Sequence, residues 1–306
     1  MGYDFHITEN QQAKLIEVNT NAGGLWLASQ QPAVENSSFP NRLAHKLLES
    51  FLQEYRLFRQ QSQAKPNLIA IIDQNPETQF LYPEMQLFKQ LFEQADIRCI
   101  IIDPCEISYK NSTPYYQEQA IDLIYNRHCD FYFNSPEMQT ITQAWQAGTV
   151  CITPNPRTYG LLADKQRMAD WQQNQLLTQC LPENTVQRLA QALPKTQLLS
   201  EFNPETLWKQ RKQWVFKPLN GYASRGVYVG EKLTKTKFNS LDPDTTLVQQ
   251  RIKPSITLSP EGEKFKTDFR LFVYRDQILA VTARLYQGQV TNLRTPNGGF
   301  SRIKII

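Results

Sequence analysis

The sequence predicts a mixed architecture, with a parallel α/β sheet in the middle of the chain and an α+β arrangement in its last third. In the middle, short apolar runs alternate with helical patterns, because LIAII from residue 68 is followed by YPEMQLFKQLFEQA, CIII, IDLIY and TVCIT. Such alternation is typical of strands joined by helices in a parallel sheet. In the last third, the strand patterns LVQQRI, TDFRLFVYR and ILAVTARLY come without such helices. This change of pattern indicates the α+β arrangement.

The segments on either side of the middle region follow the same periodicities. Near the N-terminus, KLIEVNT at 14–20 alternates apolar and polar residues and predicts a strand. At 43–58 the apolar residues recur at spacings of three and four, which predicts an amphipathic helix. A helical pattern is also present at 165–181, and the strand patterns WVFKP and VYVGE flank a turn that contains glycine.

Composition excludes several classes of protein. The chain of 306 residues has a net charge of +4, which is mild for a nucleic-acid-binding surface, and its two short basic runs at 208–214 and 232–237 are interpreted as solvated faces. No apolar run approaches the length of a membrane span, and the N-terminus does not resemble a secretion signal, so a soluble cytoplasmic protein is expected. The five cysteines are widely spaced and predict neither a disulfide framework nor structural zinc.

The first group of residues suited to chemistry is Asp4 with Glu17 and Asn19. Glu17 and Asn19 are two positions apart in a predicted strand and therefore share one of its faces. Carboxylate and amide oxygens are ligands that Mg²⁺ accepts, together with water and nucleotide phosphates. A solvated strand face is the alternative for these residues.

The second group is the glycine-bearing turn in VFKPLNGYASRGVYVG. Lys217 ends the first strand, and the loop from Gly221 to Gly226 offers backbone N–H groups that can surround phosphate oxygens. The loop lacks the spacing of a Walker P-loop. A hairpin with incidental glycines is the alternative.

The third group lies between residues 267 and 300, where cations and amides are concentrated. Asp268 and Arg270 share a strand face, Arg284 lies near the end of the next strand, and Asn292 and Arg294 precede two glycines. Phosphoryl transfer depends mostly on positioning and on neutralising charge on the transferred group. A surface ion-pair network is the alternative.

When residues 1–24 are placed after residue 300, these groups follow the order found in ATP-grasp ligases. KTDFRLFVYRDQILAVTAR, TNLRTPNGGF and GYDFH…KLIEVNTNAGG resemble the C-terminal half of the ribosomal-protein-S6 glutamate ligase and bacterial glutathione synthetase group. Because the final D…E-x-N motif comes first here, the chain resembles circularly permuted members typified by eukaryotic glutathione synthetase. The resemblance implies a permuted ATP-grasp fold with an inserted parallel-sheet, Rossmann-like substrate domain.

The resemblance also implies a role for each matching residue. Lys165 and Lys217 would contact phosphates, and Gln249, Gln250 and Ile252 would line the adenine. Asp4, Glu17 and Asn19 would hold Mg²⁺. Further nucleotide contacts fall on Gly221, Ser224, Arg225, Asp268 and Asn292, catalytic cations on Arg270, Arg284 and Arg294, and substrate contacts on Arg127 and Asn21. The glycine loop departs from the eukaryotic synthetase, which has a glutamate there, because Asn220 and Gly221 follow Leu219 in this sequence.

The predicted organisation has three parts. Residues 1–65 would carry the metal strand, 66–158 the substrate domain and 159–306 the nucleotide-binding lobes. The implied activity joins a carboxylate to an amine or thiol, using ATP and Mg²⁺ and passing through an acyl phosphate. Its partners would be small-molecule or peptide substrates, with no nucleic acid and no membrane, and a homodimer is compatible with the sequence. A small-molecule kinase and a catalytically inactive ATP-binding regulatory protein are the alternatives.

Overall fold

The computed structural model describes residues 1–29, 39–173, 177–219, 221, 226–292 and 295–303. The chain divides into two compact units. The first contains Met1, Thr20–Gly160 and Phe272–Ala280, and the second contains Gly2–Asn19, Leu161–Leu271 and Val281–Ile306.

The strands form four sheets. In chain order they are β1 (Gly2–Ile7), β2 (Ala13–Asn19), β3 (Leu68–Ile72), β4 (Arg98–Ile102), β5 (Ile107–Lys110), β6 (Thr113–Tyr116), β7 (Gln119–Ala120), β8 (Leu123–Asn126), β9 (Cys151–Thr153), β10 (Thr196–Leu198), β11 (Trp214–Pro218), β12 (Tyr228–Val229), β13 (Thr246–Gln250), β14 (Ser255–Leu258), β15 (Lys264–Tyr274), β16 (Gln277–Tyr286) and β17 (Gly299–Arg302).

Helices flank these strands in the part of the chain that the structure describes. They are α1 (Leu25–Ser29), α2 (Phe39–Arg59), α3 (Tyr82–Glu93), α4 (Gln139–Gln146), α5 (Pro156–Leu162), α6 (Gln166–Asp170), α7 (Glu183–Ala192), α8 (Pro204–Gln210) and α9 (Lys235–Asn239).

The parallel sheet of the first unit has the order β4-β3-β8-β9, and each neighbouring pair is parallel. Its central strand β3 is buried on both faces: Ile69 and Ile71 pack into one apolar cluster, and Leu68, Ala70 and Ile72 pack into another. This explains why the strand reads as a continuous apolar run in the sequence. The prediction of a parallel α/β sheet is confirmed.

One apolar cluster of this unit is built largely from helices. Leu43 and Leu47 of α2 and Phe88 and Phe92 of α3 are buried in it. The apolar spacing at 43–58 therefore lies on one face of a helix that runs from Phe39 to Arg59, as the period of 3.6 residues requires. A smaller antiparallel sheet, β5-β6-β7, also belongs to this unit.

The second unit contains two sheets. One has the order β17-β16-β15-β1-β2, with β14 also paired to β15, and the other has the order β10-β13-β11-β12. The N-terminal hairpin β1–β2 is thus hydrogen-bonded to a strand from the far end of the sequence. Behind the second sheet, Phe216 and Val248 are fully buried in an apolar cluster with Trp214.

The two units differ from the predicted three-part organisation. The first unit ends at Gly160, close to the predicted boundary after 158, but residues 20–65 also belong to it. The reason is that α2 buries its apolar face in the cluster that covers the parallel sheet. Within residues 1–65, it is Gly2–Asn19, the hairpin, that belongs to the second unit.

The helical pattern at 165–181 is described in part, and Leu177 in it is helical as well as α6. α6 ends at Asp170, and Gln172 and Gln173 then donate to carbonyl oxygens three residues earlier. Such bonds close a helix in a tighter turn. Residues 174–176 of the pattern lie outside the described residues. Among the residues that are described, no helix is long and apolar enough to cross a membrane.

We expect Gly230→Ala to destabilise the second unit. A Cβ atom at Gly230 would lie 1.9 Å from the carbonyl oxygen of Arg211, and backbone cannot move aside as a flexible side chain can. Overpacking of this kind typically costs about 1–3 kcal/mol. Urea unfolding followed by tryptophan fluorescence measures the loss.

The matched control is Gly160→Ala. Gly160 lies in α5, where an added Cβ would meet Tyr132 at an ordinary 3.6 Å. Alanine is also a better helix former than glycine. A Gly230→Ala variant as stable as the native protein would show that the two backbone segments are not in close contact.

Candidate nucleotide-binding and phosphoryl-transfer site

A large cavity lies within the second unit, lined by residues of both of its sheets. Its volume is about 870 Å³, which is within the range of small-molecule and cofactor sites. Part of the lining is apolar, including Ile16, Val215 and Val229. The charged lining residues are mostly cations: Lys165, Lys217, Arg251, Lys253, Lys266 and Arg284, against Asp4, Glu9, Glu17 and Asp268. The cavity thus combines an apolar wall with an excess of positive charge.

Two buried lysines predicted to contact phosphates are brought together at this cavity. Lys165 precedes α6 and donates to the carbonyl oxygen of Gly221, and its ammonium lies 3.8 Å from a carboxylate oxygen of Glu17. Lys217, on β11, donates to the carbonyl oxygen of Ile16 at 3.0 Å. Both lysines are more than nine-tenths buried. The two ammonium groups therefore reach the same cavity, one from the start of α6 and the other from β11.

Burial has a measurable effect on Lys217. It lowers the pKa of Lys217 to about 8, with the charge of Lys165 acting in the same direction and Glu17 opposing it. A buried ammonium is disfavoured because it loses its hydration. Lys217 thus sits where a negatively charged ligand would restore its positive form.

Gln249, on β13, holds Lys217 in place. Its side-chain oxygen accepts from Lys217 at 2.7 Å, and its amide nitrogen donates to the hydroxyl of Thr196 at 3.4 Å. Gln249, Gln250 and Ile252 all line the cavity, as the adenine assignment requires. The side chain of Gln249, however, is engaged with Lys217.

Asp4 and Asp268 bind two arginines in a buried network. Asp4 accepts from Arg270 through both carboxylate oxygens, at 2.6 and 2.7 Å, and from Arg284 at 2.8 Å. Arg284 also donates to Asp268 at 2.6 Å. Burial by itself would raise the pKa of Asp4, but the two guanidinium groups outweigh it and hold that pKa below its ordinary value. The predicted cluster of charges at β15 and β16 is therefore a buried network and not a surface one.

The residues suited to magnesium are Glu17 and Asn19. The Glu17 side chain is 36% exposed and lines the cavity, and its carboxylate lies 3.8 Å from the ammonium of Lys165. Asn19 donates its amide to Asp4 at 3.1 Å, which turns its side-chain oxygen away from that carboxylate. The Glu17 carboxylate fits Mg²⁺, which commonly binds one or two protein oxygens plus phosphate and water. Asn19 is not among the residues that line the cavity. No group of three or more His, Cys, Asp or Glu residues suited to a metal occurs among the described residues.

The remaining nucleotide assignments are only partly described. Gly221 lines the cavity, whereas Ser224 and Arg225 of the glycine loop and Arg294 lie outside the described residues. Asn292 is exposed and is not among the lining residues, and its carbonyl oxygen accepts from Thr295. Near it, Thr291 donates to Asp268 at 2.8 Å.

The predicted substrate residues Arg127 and Asn21 lie in the first unit and contact each other. Arg127 follows β8 and donates to the carbonyl oxygen of Asn21 at 2.9 Å and to the hydroxyl of Tyr125 at 3.2 Å. Asn21 donates in return to the carbonyl oxygens of Arg127 and His128. The guanidinium also lies 3.8 Å from Glu84, whose carboxylate accepts from the first backbone N–H groups of the α1 turn. Arg127 thus holds a buried part of this unit together.

Comparison with solved structures supports the predicted fold. The chain is similar to a "putative gamma-glutamylcysteine synthetase" from Methylobacillus flagellatus KT, with a TM-score of 0.58, 9% identity, and coverage of 95% of this chain and 76% of that one. The chain has the fold of this synthetase. The predicted mixed α/β and α+β fold class is thereby confirmed.

Other comparisons add less. The ATP-grasp ligase PsnB in complex with a precursor peptide and AMPPNP is 13% identical, with a TM-score of 0.42 over 73% of this chain and 76% of that one. A PsnB complex with a precursor variant, Mg and ADP is 10% identical, with a TM-score of 0.41 over 78% and 90%. These TM-scores are too low to support an inference. No protein-family model and no curated protein matches the sequence.

Within this synthetase-like fold, sequence reasoning missed several cavity residues. His6 lines the cavity, and its Nδ1 lies 2.7 Å from the carbonyl oxygen of Ile252. Burial lowers the pKa of His6, so the neutral ring donates this bond. Lys266 also lines the cavity and shares a face of β15 with Asp268. The alternation of that strand was the signal that could have identified Lys266.

We expect nucleotide affinity to fall as the pH rises through about 8, because Lys217 then loses the charge that attracts phosphate. The sign follows from linkage, since a ligand that prefers protonated Lys217 binds best below its pKa. Lys217→Arg keeps its charge over this range and should bind ADP with little change from pH 7.5 to 9.5. Calorimetric titration with ADP at a series of pH values measures both. If the ADP affinity of the native protein changed as little with pH as that of the variant, Lys217 would not contact the nucleotide.

Proposed function

We propose that this protein is an ATP-dependent ligase that joins a carboxylate to an amine or thiol through an acyl phosphate. The observation that carries the proposal is the cavity of the second unit, which combines an apolar wall with buried Lys165 and Lys217 and with the network around Arg284. An apolar wall suits a base, and converging cations suit phosphates. The shared fold with a synthetase supports the same reaction class.

In this proposal the cations of the cavity bind and orient the triphosphate. Lys165 and Lys217 neutralise its charge from buried positions, where a lower local dielectric strengthens electrostatic attraction. Arg284 is held so that its remaining N–H groups stabilise the charge that develops on the transferred phosphoryl group. Glu17 and Asn19 would hold Mg²⁺, which would neutralise negative charge on the phosphates.

The coupling chemistry follows from phosphoryl transfer to oxygen. A substrate carboxylate attacks the γ-phosphorus and releases ADP, which leaves a mixed anhydride. An amine or thiol then attacks the acyl carbon, its proton is lost, and inorganic phosphate leaves. The condensation is thereby driven by cleavage of the phosphoanhydride.

The first unit is proposed to contribute the carboxylate site. Its parallel sheet ends in Arg127 beside Asn21, and guanidinium groups recognise carboxylates through paired hydrogen bonds. Both side chains bind backbone carbonyl oxygens, so their contacts do not by themselves indicate a substrate. The proposed substrate role rests on the family resemblance. The order of strands, with β1–β2 paired to β15, supports a circularly permuted arrangement.

We expect MgATP to raise the melting temperature by several degrees. A ligand at 100 times its dissociation constant adds about 2.7 kcal/mol of stability. Lys165→Ala should lose most of the shift, because it removes a buried cation of the cavity. Lys209→Ala, which removes an exposed lysine of α8, is the matched control and should keep it. No shift at millimolar MgATP in native, folded protein would contradict nucleotide binding.

The reaction class is tested by an ADP-release screen that crosses carboxylates with amines and thiols, followed by mass spectrometry. A ligase yields an amide or thioester, and a small-molecule kinase yields a stable phosphorylated product. Binding of MgATP without ADP release from any pair would favour a regulatory protein.

We expect Glu17→Gln to weaken divalent metal binding while leaving folding stability nearly unchanged. The variant keeps the shape of a half-exposed side chain but removes the charge that attracts the metal. Mn²⁺ binding in the presence of ADP, followed by electron paramagnetic resonance, measures the effect. Glu205→Gln, an exposed change in α8, is the control. Native Mn²⁺ affinity in Glu17→Gln would remove this strand from the metal site.

A further inference from the structure

The carboxylate of Asp4 is bound by two guanidinium groups and one amide. It is 2% exposed and accepts four hydrogen bonds: two from Arg270, one from Arg284 and one from the amide of Asn19. A carboxylate offers about four lone-pair positions. Oδ2 accepts three of the four bonds and Oδ1 accepts only the bond from Arg270. A metal at Asp4 would therefore have to approach Oδ1 beside the buried guanidinium of Arg270.

The two arginines around Asp4 differ in their relation to the cavity. Arg284 lines the cavity, whereas Arg270 is not among the lining residues. Arg270 binds Asp4 in the bidentate geometry that fixes a carboxylate in orientation as well as in distance. Arg284 is then held on one side by Asp4 and on the other by Asp268.

This arrangement fixes the orientation of the Arg284 guanidinium and leaves some of its N–H groups able to bind a ligand. Its Nε donates to Asp268 and one Nη2 hydrogen to Asp4, which accounts for two of its five N–H donors. No partner for the other three is found among the described residues. A guanidinium held by two carboxylates is preorganised, so it does not have to be oriented at the moment of reaction.

We propose that Asp4 is a positioning residue that acts through Arg284 and is not a magnesium ligand, with Arg270 holding Asp4 in turn. The inference rests on the proposed function and assigns a role in it to each of these three residues. Glu17 and the side-chain oxygen of Asn19 are then the protein ligands of the metal. A metal bound to Asp4 would also face the charges of Arg270 and Arg284, which repel it.

The test is a double-mutant cycle on binding, so that it does not depend on knowing the substrates. MgADP with fluoroaluminate is the probe for the transferred phosphoryl group, and its affinity is compared with that of MgADP alone. Arg284→Ala should lower the gain from fluoroaluminate by about 10²-fold, the typical cost of removing one such donor. Asp4→Asn should lower it as well, and in the Arg284→Ala background it should lower it no further, because two residues that act as one are not additive.

Mn²⁺ affinity in the presence of ADP separates positioning from metal binding. Asp4→Asn should retain more Mn²⁺ affinity than Glu17→Gln, which alters a proposed ligand. If Asp4→Asn loses as much Mn²⁺ affinity as Glu17→Gln, or if its effect on fluoroaluminate binding multiplies with that of Arg284→Ala, the inference is wrong.

A second variant serves as the control for effects on folding. Asp4→Asn leaves two buried guanidinium groups poorly compensated and can destabilise the fold, so circular dichroism and melting are measured on every preparation. Arg270→Lys keeps the charge but loses the bidentate contact. It should reproduce the pattern, with weaker fluoroaluminate binding, native-like Mn²⁺ affinity and no added effect beside Arg284→Ala.

The outcome also distinguishes this inference from the proposed function. A native protein that binds no MgADP contradicts the function itself. A native protein that binds MgADP but gains nothing from fluoroaluminate contradicts the assignment of Arg284, and therefore the inference, while nucleotide binding stands.

Discussion

The ion pairs around Asp4 join distant parts of the sequence in the second unit. Asp4 lies on β1, Arg270 on β15 and Arg284 on β16, and all three side chains are more than nine-tenths buried. A buried ion pair contributes little net stability, because desolvation offsets much of the attraction, but loss of one partner is costly. The network therefore acts chiefly as a constraint: β1 has to lie where its carboxylate can meet both guanidinium groups. The cavity takes part of its shape from that requirement.

A second buried contact connects the other sheet to the same cavity. Lys217 on β11 donates both to Gln249 on β13 and to the backbone of β2 at Ile16. The ammonium is thus held between the two sheets at a position where its charge is poorly solvated. Charge held in this way is favourable for an anionic ligand and unfavourable without one. The burial that disfavours the charged form of Lys217 would strengthen nucleotide binding, because attraction between charges is stronger where the local dielectric is low.

In the first unit, two buried charged side chains stabilise the fold by binding backbone groups. Arg127 satisfies backbone carbonyl oxygens of the segment after β2, and Glu84 accepts the unpaired N–H groups at the start of α1. Both are chemically suited to bind substrates, yet their contacts explain their burial without one. A guanidinium that follows a strand of a parallel sheet is therefore weaker evidence for a ligand than one that lines a cavity and retains N–H donors, as Arg284 does.

Many of the regular elements and the chemical character of the site could be predicted from the order of residues. Apolar periodicity predicted the parallel sheet and α2, because burial of an apolar face depends on the local order of residues. The motif order also grouped Lys165, Lys217, Glu17 and Arg284, which the structure brings to one cavity.

The contacts of each charged side chain depend on the three-dimensional arrangement of the strands and helices. Residues 20–65 belong to the first unit because the apolar face of α2 packs against the apolar cluster of that unit. Asp4 and Glu17 carry the same carboxylate and both line the cavity. Two guanidinium groups bind Asp4, which is 2% exposed, whereas the Glu17 side chain is 36% exposed. Hydrogen-bond partners far apart in the chain are set by how strands pair, and strand pairing is not encoded in any local pattern of residues.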